Sequence, residues 1–188
     1  MSQVDGRILR SQKSQTLILE SIINLINKGN YYPTADQVAK ESGIAIRTVF
    51  RQFADMESLL MKVDELINIK ILNDEKKISG SLPLISRLKD IIDERINIYD
   101  KYENIMIATI TQLPKYKILQ KKYPEYQKLL RKRTETIIPE IQKLKSNSQE
   151  LFDATLSFGF YQRLKFQGMD KININKSINE LCKKILKI

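Results

Sequence analysis

Residues 34–53 read TADQVAKESGIAIRTVFRQF, and their local chemistry decides the fold. Thr34, followed three residues later by Gln37, forms a capping box, in which two side chains satisfy backbone N–H groups that a helix start leaves open. A helix therefore begins at Ala35, with Val38 and Ala39 at helical spacing. Gly43 then supplies the left-handed backbone that ends it in a tight turn. In the short helix that follows, Ile46, Val49, Phe50 and Phe53 sit at i, i+3, i+4 and i+7 and make a packing face. Arg47, Thr48, Arg51 and Gln52 fall on the remaining surface. The stretch is a helix, a turn and a helix whose second member offers hydrogen-bond donors.

Working outward, residues 14–28, SQTLILESIINLINK, form an amphipathic helix stopped by Gly29, with Leu17, Ile18, Ile22, Leu25 and Ile26 as its apolar stripe. It completes a three-helix head. Asp55 caps a longer helix, with Leu59, Leu60, Val63, Leu66, Ile67 and Ile71 on one side. This is the expected connector, over about 55–75, and SGSLP at 79–83 is a linker-like break. Helical patterns follow at about 83–101, 104–112, 124–145, 148–167 and 175–187. Pro114 and Pro124 mark the third boundary, and Pro139 is expected to kink or split its helix. No stretch carries a strand signal, so the chain reads as all-α: a helix-turn-helix domain at 1–54 and a second helical domain at 55–188.

Composition narrows the chemistry. Of 188 residues none is histidine and one is cysteine, which removes the commonest metal ligands, the commonest general base and any intrachain disulfide. No catalytic set, metal site or cofactor is expected. The amino-terminal MSQVDGRILRSQKSQ has no apolar signal core, and no stretch approaches the roughly 18 apolar residues that span a bilayer. The expected location is the cytoplasm, with no membrane partner.

Exposed donors on a short helix after a glycine turn suit insertion into a DNA major groove, with cations for phosphate and Arg, Thr and Gln for base edges. The formal charge of +10 is a weaker guide, because it lies mostly elsewhere. Residues 1–54 carry Arg7, Arg10, Lys13, Lys28, Lys40, Arg47 and Arg51 against Asp5, Glu20, Asp36 and Glu41, a net +3. Residues 55–75 are net acidic. Ile46 has two readings. Its spacing makes it core, while its place near the helix start makes it base-facing, where it would suit a thymine methyl group.

Thr34, Val38-Ala39, Ser42-Gly43-Ile44, Thr48, Phe50, Phe53 and Glu57 to Leu60, behind one amphipathic helix, closely resemble the head of the TetR family of transcriptional regulators. The resemblance covers about residues 10–65 and implies a repressor on a palindromic operator in double-stranded DNA. It also implies a small-molecule effector held by the second domain and a homodimer formed by the last two long helices. Thr34 and the run Ala45, Ile46, Arg47, Thr48, Phe50, Arg51 and Gln52 take DNA roles by the same resemblance. The chain departs from the family pattern at Ala45 (usually Ser or Thr), Phe50 (Tyr), Gln52 (often His) and Met56 (often Lys). Each departure weakens backbone contact, which implies either a modest affinity or a load carried by Arg51 and the segment with Arg7, Arg10 and Lys13.

Three further stretches carry expectations. Residues 115–133, KYKILQKKYPEYQKLLRKR, hold eight Lys/Arg, one acid and three tyrosines. Leu129, Leu130, Ile137, Ile138 and Ile141 supply one apolar stripe beneath, so a solvated basic face is favoured over a nucleic-acid or membrane patch. Residues 151–166, LFDATLSFGFYQRLKF, are apolar nearly all round and need cover on two sides, so dimerisation is placed on helices at about 148–167 and 175–187. Ile178, Leu181, Cys182, Ile185 and Leu186 form the stripe of the last helix, with Cys182 as a buried small hydrophobe. Tyr99, Tyr102, Met106, Phe158, Tyr161 and Phe166 are candidate ligand contacts. Two rivals stand beside this reading. One is a DNA-bound structural or partner-binding protein without a ligand. The other is a helical-bundle enzyme, for which no convergent carboxylate or lysine set appears at helical spacing.

Overall fold

The computed structural model describes residues 6–188; the start of the amino-terminal segment discussed above lies outside the described residues. Among these the chain is all-helical, with ten α-helices and one 3-10 helix. No helix among them is long and apolar enough to cross a membrane. Two compact units divide the chain. The first takes residues up to Asn73 together with Glu103–Lys122, and the second takes Asp74–Tyr102 and Tyr123–Ile188.

In the first unit α1 (Gly6–Asn27) packs against α2 (Ala35–Ser42), α3 (Ile46–Gln52) and α6 (Glu103–Gln112). Helix α1 starts earlier than the 14–28 pattern, so Arg7, Arg10 and Lys13 lie in its first turns. Its buried line is Ile18, Ser21, Ile22 and Ile26. Leu17 is exposed, and Ser21 takes its place inward by donating its hydroxyl to the Leu17 carbonyl at 2.7 Å. Burying each isoleucine stabilises by about 1.5–3 kcal/mol. The Thr34–Gln37 capping box forms in both directions, and Gly43 sits at φ 67°. Asp55 opens α4 (Met56–Asp74) by accepting the Ser58 N–H at 2.7 Å, and Leu59, Leu60, Val63 and Ile67 of α4 are buried.

Helix α6 joins this unit through side chains that reach back to the head. Tyr31 donates its hydroxyl to Asn104 Oδ1 at 2.9 Å, and Asn104 Nδ2 donates to the Asn27 carbonyl at 3.2 Å. Tyr32 donates to the Thr111 carbonyl at 3.1 Å. The compact unit around the head takes in α4 and α6 as well as α1, α2 and α3.

Helix α7 (Lys117–Ile137) corrects one expectation, since Pro124 lies inside it instead of marking its start. An interior proline loses one backbone bond, at a cost of about 3 kcal/mol. The turns before it are held independently: Leu119 is buried, and Glu57 Oε1 accepts the Ile118 N–H at 2.7 Å. Pro139 does split the following pattern, since α7 ends at Ile137 and a 3-10 helix runs Pro139–Lys143.

The second unit contains α5 (Leu84–Lys101), most of α7, α8 (Ser146–Thr155), α9 (Phe158–Phe166) and α10 (Lys171–Leu186). Leu88, Ile91, Ile92, Ile96, Ile138, Phe152, Tyr161, Ile174, Ile178 and Cys182 form its core. Burial pushes the Cys182 thiol up to about 12, so it stays a protonated hydrophobe. The single helix expected over 148–167 is two. Ser157 ends the first by donating to the Ala154 carbonyl at 2.7 Å and caps the second by accepting the Phe160 N–H at 3.2 Å. Leu129 is also corrected: it is 61% exposed, while Ile137, Ile138 and Ile141 are buried. Beneath α7, Arg133 grips Glu94 with both prongs, Nε to Oε1 at 2.9 Å and Nη2 to Oε2 at 2.7 Å. Glu75 Oε2 lies 3.2 Å from Arg133 Nη1, and Glu94 Oε2 also accepts the Lys76 N–H at 2.6 Å.

Candidate functional site

The turn between α2 and α3 is built from local chemistry. Gly43 takes the left-handed conformation that a β-carbon disfavours, and Ser42 Oγ accepts the Ile44 N–H at 3.2 Å. Ala45 precedes α3 with no side-chain cap, its carbonyl accepting the Thr48 N–H at 2.7 Å. Thr34 Oγ1 accepts the Gln37 N–H at 3.3 Å, and the residue remains exposed at the start of α2.

Helix α3 has two turns, and only Val49 within it and Phe53 just beyond are buried. Ile46 is 37% exposed and Phe50 47% exposed, so the four-residue packing face expected from spacing narrows to two. A helix this short has one inward line, and the residues flanking it stay in solvent. Arg47 and Arg51, one turn apart, are exposed and form no ion pair among the described residues. Thr48 is half-buried.

Gln52 has a different role from its neighbours. Its Oε1 accepts from Gln15 Nε2 at 2.9 Å and from the Ser11 hydroxyl at 3.2 Å, while its Nε2 donates to Ser11 Oγ at 3.0 Å. The amide ties α3 to α1 and fixes the direction in which Arg47, Phe50 and Arg51 point. Sequence spacing placed Gln52 on the donor face but gave no sign of partners some forty residues away. The assembled surface carries two cations and two exposed apolar side chains, which suit phosphates, guanine edges and thymine methyl groups respectively.

In the second unit Tyr99, Phe158 and Tyr161 come together, with ring centroids 5.4, 5.7 and 6.2 Å apart. The Tyr99 hydroxyl donates to the Leu156 carbonyl at 2.6 Å, and burial raises its pKa. Tyr102 donates to Asp74 Oδ2 at 2.7 Å. Of the other two candidates, Phe166 is 81% exposed and Met106 belongs to the first unit. A residue the spacing argument passed over is Arg95. It interrupts the buried line Leu88, Ile91, Ile92 and Tyr99 on α5 and is itself buried. A charge on an apolar helical stripe was the available signal.

The basic run on α7 resolves into two populations. Arg131 pairs with Glu135 at 3.0 Å and Glu150 at 2.7 Å, and Arg133 is held by Glu94 and Glu75. Lys117, Lys121, Lys128 and Lys132 are exposed.

No protein-family model matches the chain. Among solved structures the chain is similar to the Clostridium perfringens putative fatty acid metabolism regulator, with a TM-score of 0.62. The likeness covers 91% of this chain and 97% of that one at 20% identity, and it establishes a shared fold.

Proposed function

We propose that this chain is a homodimeric transcriptional regulator of TetR type that grips a palindromic operator through α3 and is released by a small molecule. The observation that carries the reading is the divided surface of α3. Val49, Phe53 and Gln52 anchor one side, while Arg47, Phe50, Arg51 and Ile46 stand outward on the other. Thr34, Ala45 and Thr48 flank that surface and complete the proposed contact set. The likeness to a chain named as a regulator points the same way. No covalent chemistry is needed, and the working location is the cytoplasm. Release follows from population shift: an effector acts only through unequal affinity for the DNA-competent and incompetent forms.

Dimerisation is assigned to α8, α9 and α10, where Leu151, Phe166 and Ile172 are exposed apolar side chains. Gly159 is exposed, and a β-carbon added there would meet only Ser157 Oγ at 3.9 Å. A β-carbon at 159 is therefore accommodated within one chain, and a larger side chain there acts on whatever lies against this exposed position. Gly159→Leu should weaken self-association at least tenfold and cooperative operator binding with it, read by sedimentation equilibrium and by DNA titration. An unmodified protein that sediments as a monomer at micromolar concentration would remove the dimer. The rival without a ligand draws on the close packing of Tyr99, Phe158 and Tyr161. A small-molecule screen giving neither thermal stabilisation nor release from DNA would favour it.

A further inference from the structure

Helix α3 has seven residues, and only Val49 within it and Phe53 just beyond are buried. These two lie one turn apart on a single line, so their burial seats the helix but opposes its rotation about that line only weakly. Arg47 and Arg51 project from the opposite side of the helix, where a roll of about 10–20° is already the limit that a recognition constellation tolerates. Gln52 lies about 60° around the helix from Val49, off the buried line, which makes it a lever against that roll.

Helix α1 closes the Gln52 amide into a triangle. The Ser11 hydroxyl donates to Gln52 Oε1 at 3.2 Å and accepts from its Nε2 at 3.0 Å, while Gln15 Nε2 donates to the same Oε1 at 2.9 Å. All three residues are partly buried, so water competes for these bonds only in part. Ser11 is also set apart on its own helix. Ser14, Thr16 and Ser21 each donate to a carbonyl one turn back, at 2.9, 3.1 and 2.7 Å, the ordinary use of a helical hydroxyl. The Ser11 hydroxyl turns to α3.

We infer that Ser11 and Gln15 are positioning residues for operator recognition: through Gln52 they set the rotation of α3, and with it the base preference of Arg47, without touching DNA themselves. Gln52 then serves α1 in place of the DNA contact that the family resemblance implies for it. The three groups are neutral, so the tie holds across the range of salt in which phosphate contacts weaken. This inference deepens the regulator reading and rests on it.

The test uses the full chain with Ser11→Ala, Gln15→Met or Gln52→Met, where methionine keeps the length of glutamine without its hydrogen bonds. Ser11→Thr keeps the hydroxyl. Affinity is measured on the best operator from sequence selection and on scrambled DNA, across a salt series. Ser11→Ala and Gln15→Met should each lower the ratio of operator to scrambled affinity by about threefold to tenfold, the effect of one lost neutral hydrogen bond, with scrambled binding and salt slope unchanged. Ser11→Thr should keep the wild-type ratio. In the Gln52→Met background, Gln15→Met should change nothing further, because its partner is already gone. Equal losses on both DNAs, additive losses in the double variant, or a wild-type ratio in Ser11→Ala and Gln15→Met overturns the positioning role. Hydrogen exchange of the unbound protein reads the tie separately: in Ser11→Ala and Gln15→Met the α3 amides should exchange at least about threefold faster while those of α2 do not. Unchanged α3 exchange, or a loss of protection shared equally by α2, overturns the tie. A wild type that prefers no DNA sequence removes the regulator reading and this role with it, and faster α3 exchange then shows that the tie itself stands.

Discussion

Glu94→Ala should cost about 3–5 kcal/mol of stability, because it removes one partner of a buried ion pair and strands the other. Glu94 is 2% exposed and accepts three hydrogen bonds, two from Arg133 and one from the Lys76 N–H. Its loss leaves the Arg133 guanidinium with Glu75 and the Lys76 carbonyl and leaves the Lys76 N–H without that acceptor. The replacement also opens a void beside Arg133. Glu94→Gln, which retains an oxygen for Lys76 and nearly the same volume, should cost less. Urea titration reads both: the midpoint should fall at unchanged slope, and the melting temperature by about 6–20 °C for Glu94→Ala. A loss under about 1 kcal/mol would mean that the cluster behaves as an ordinary surface ion pair.

The second large effect concerns α3. Arg47 and Arg51 are both exposed and form no ion pair among the described residues, but they stand one turn apart and should fail differently. Arg47 lies in the first turn of the helix, the end that approaches base edges in this kind of docking, and arginine's planar fork can read guanine through O6 and N7. Arg47→Ala should cost about 1–3 kcal/mol on the best operator, relax preference at one base pair per half-site and leave the salt slope nearly unchanged. Arg51→Ala should weaken all sequences alike and lower the slope by about one. Titration of both variants on specific and scrambled DNA across a salt series separates the roles. Equal losses on both DNAs for both variants would reduce α3 to an electrostatic anchor.

The head was legible because its decisive features are local. The capping box at Thr34 and Gln37, the left-handed Gly43 and the cap at Asp55 each act within four residues, and each forms as the sequence indicates. Features set by distant partners were not. The exposure of Ile46 and Phe50 depends on how far a two-turn helix can reach into the core, and Gln52 is committed by Ser11 and Gln15. The apolar run at 151–166 hid the break at Ser157, where a serine cap outweighs continuous hydrophobicity. Asp170 starts α10 about five residues before the apolar pattern does, by accepting the Asn173 N–H at 2.8 Å. In the second unit Tyr99, Phe158 and Tyr161 meet, while Arg95 is a buried charge on a stripe whose neighbours Leu88, Ile91, Ile92 and Tyr99 are apolar or aromatic.

In-vitro selection of DNA sequences bound by the full chain tests the central assignment most directly, because it requires α3 to read bases and the chain to act as a symmetric pair. Recovered sequences should share a palindrome whose half-sites lie about 10 base pairs apart, or a multiple of that, centre to centre. Repeating the selection with Arg47→Ala should leave the palindrome with one relaxed position in each half. A pool that stays unselective after repeated rounds, or that converges on a site without two-fold symmetry, would contradict the assignment.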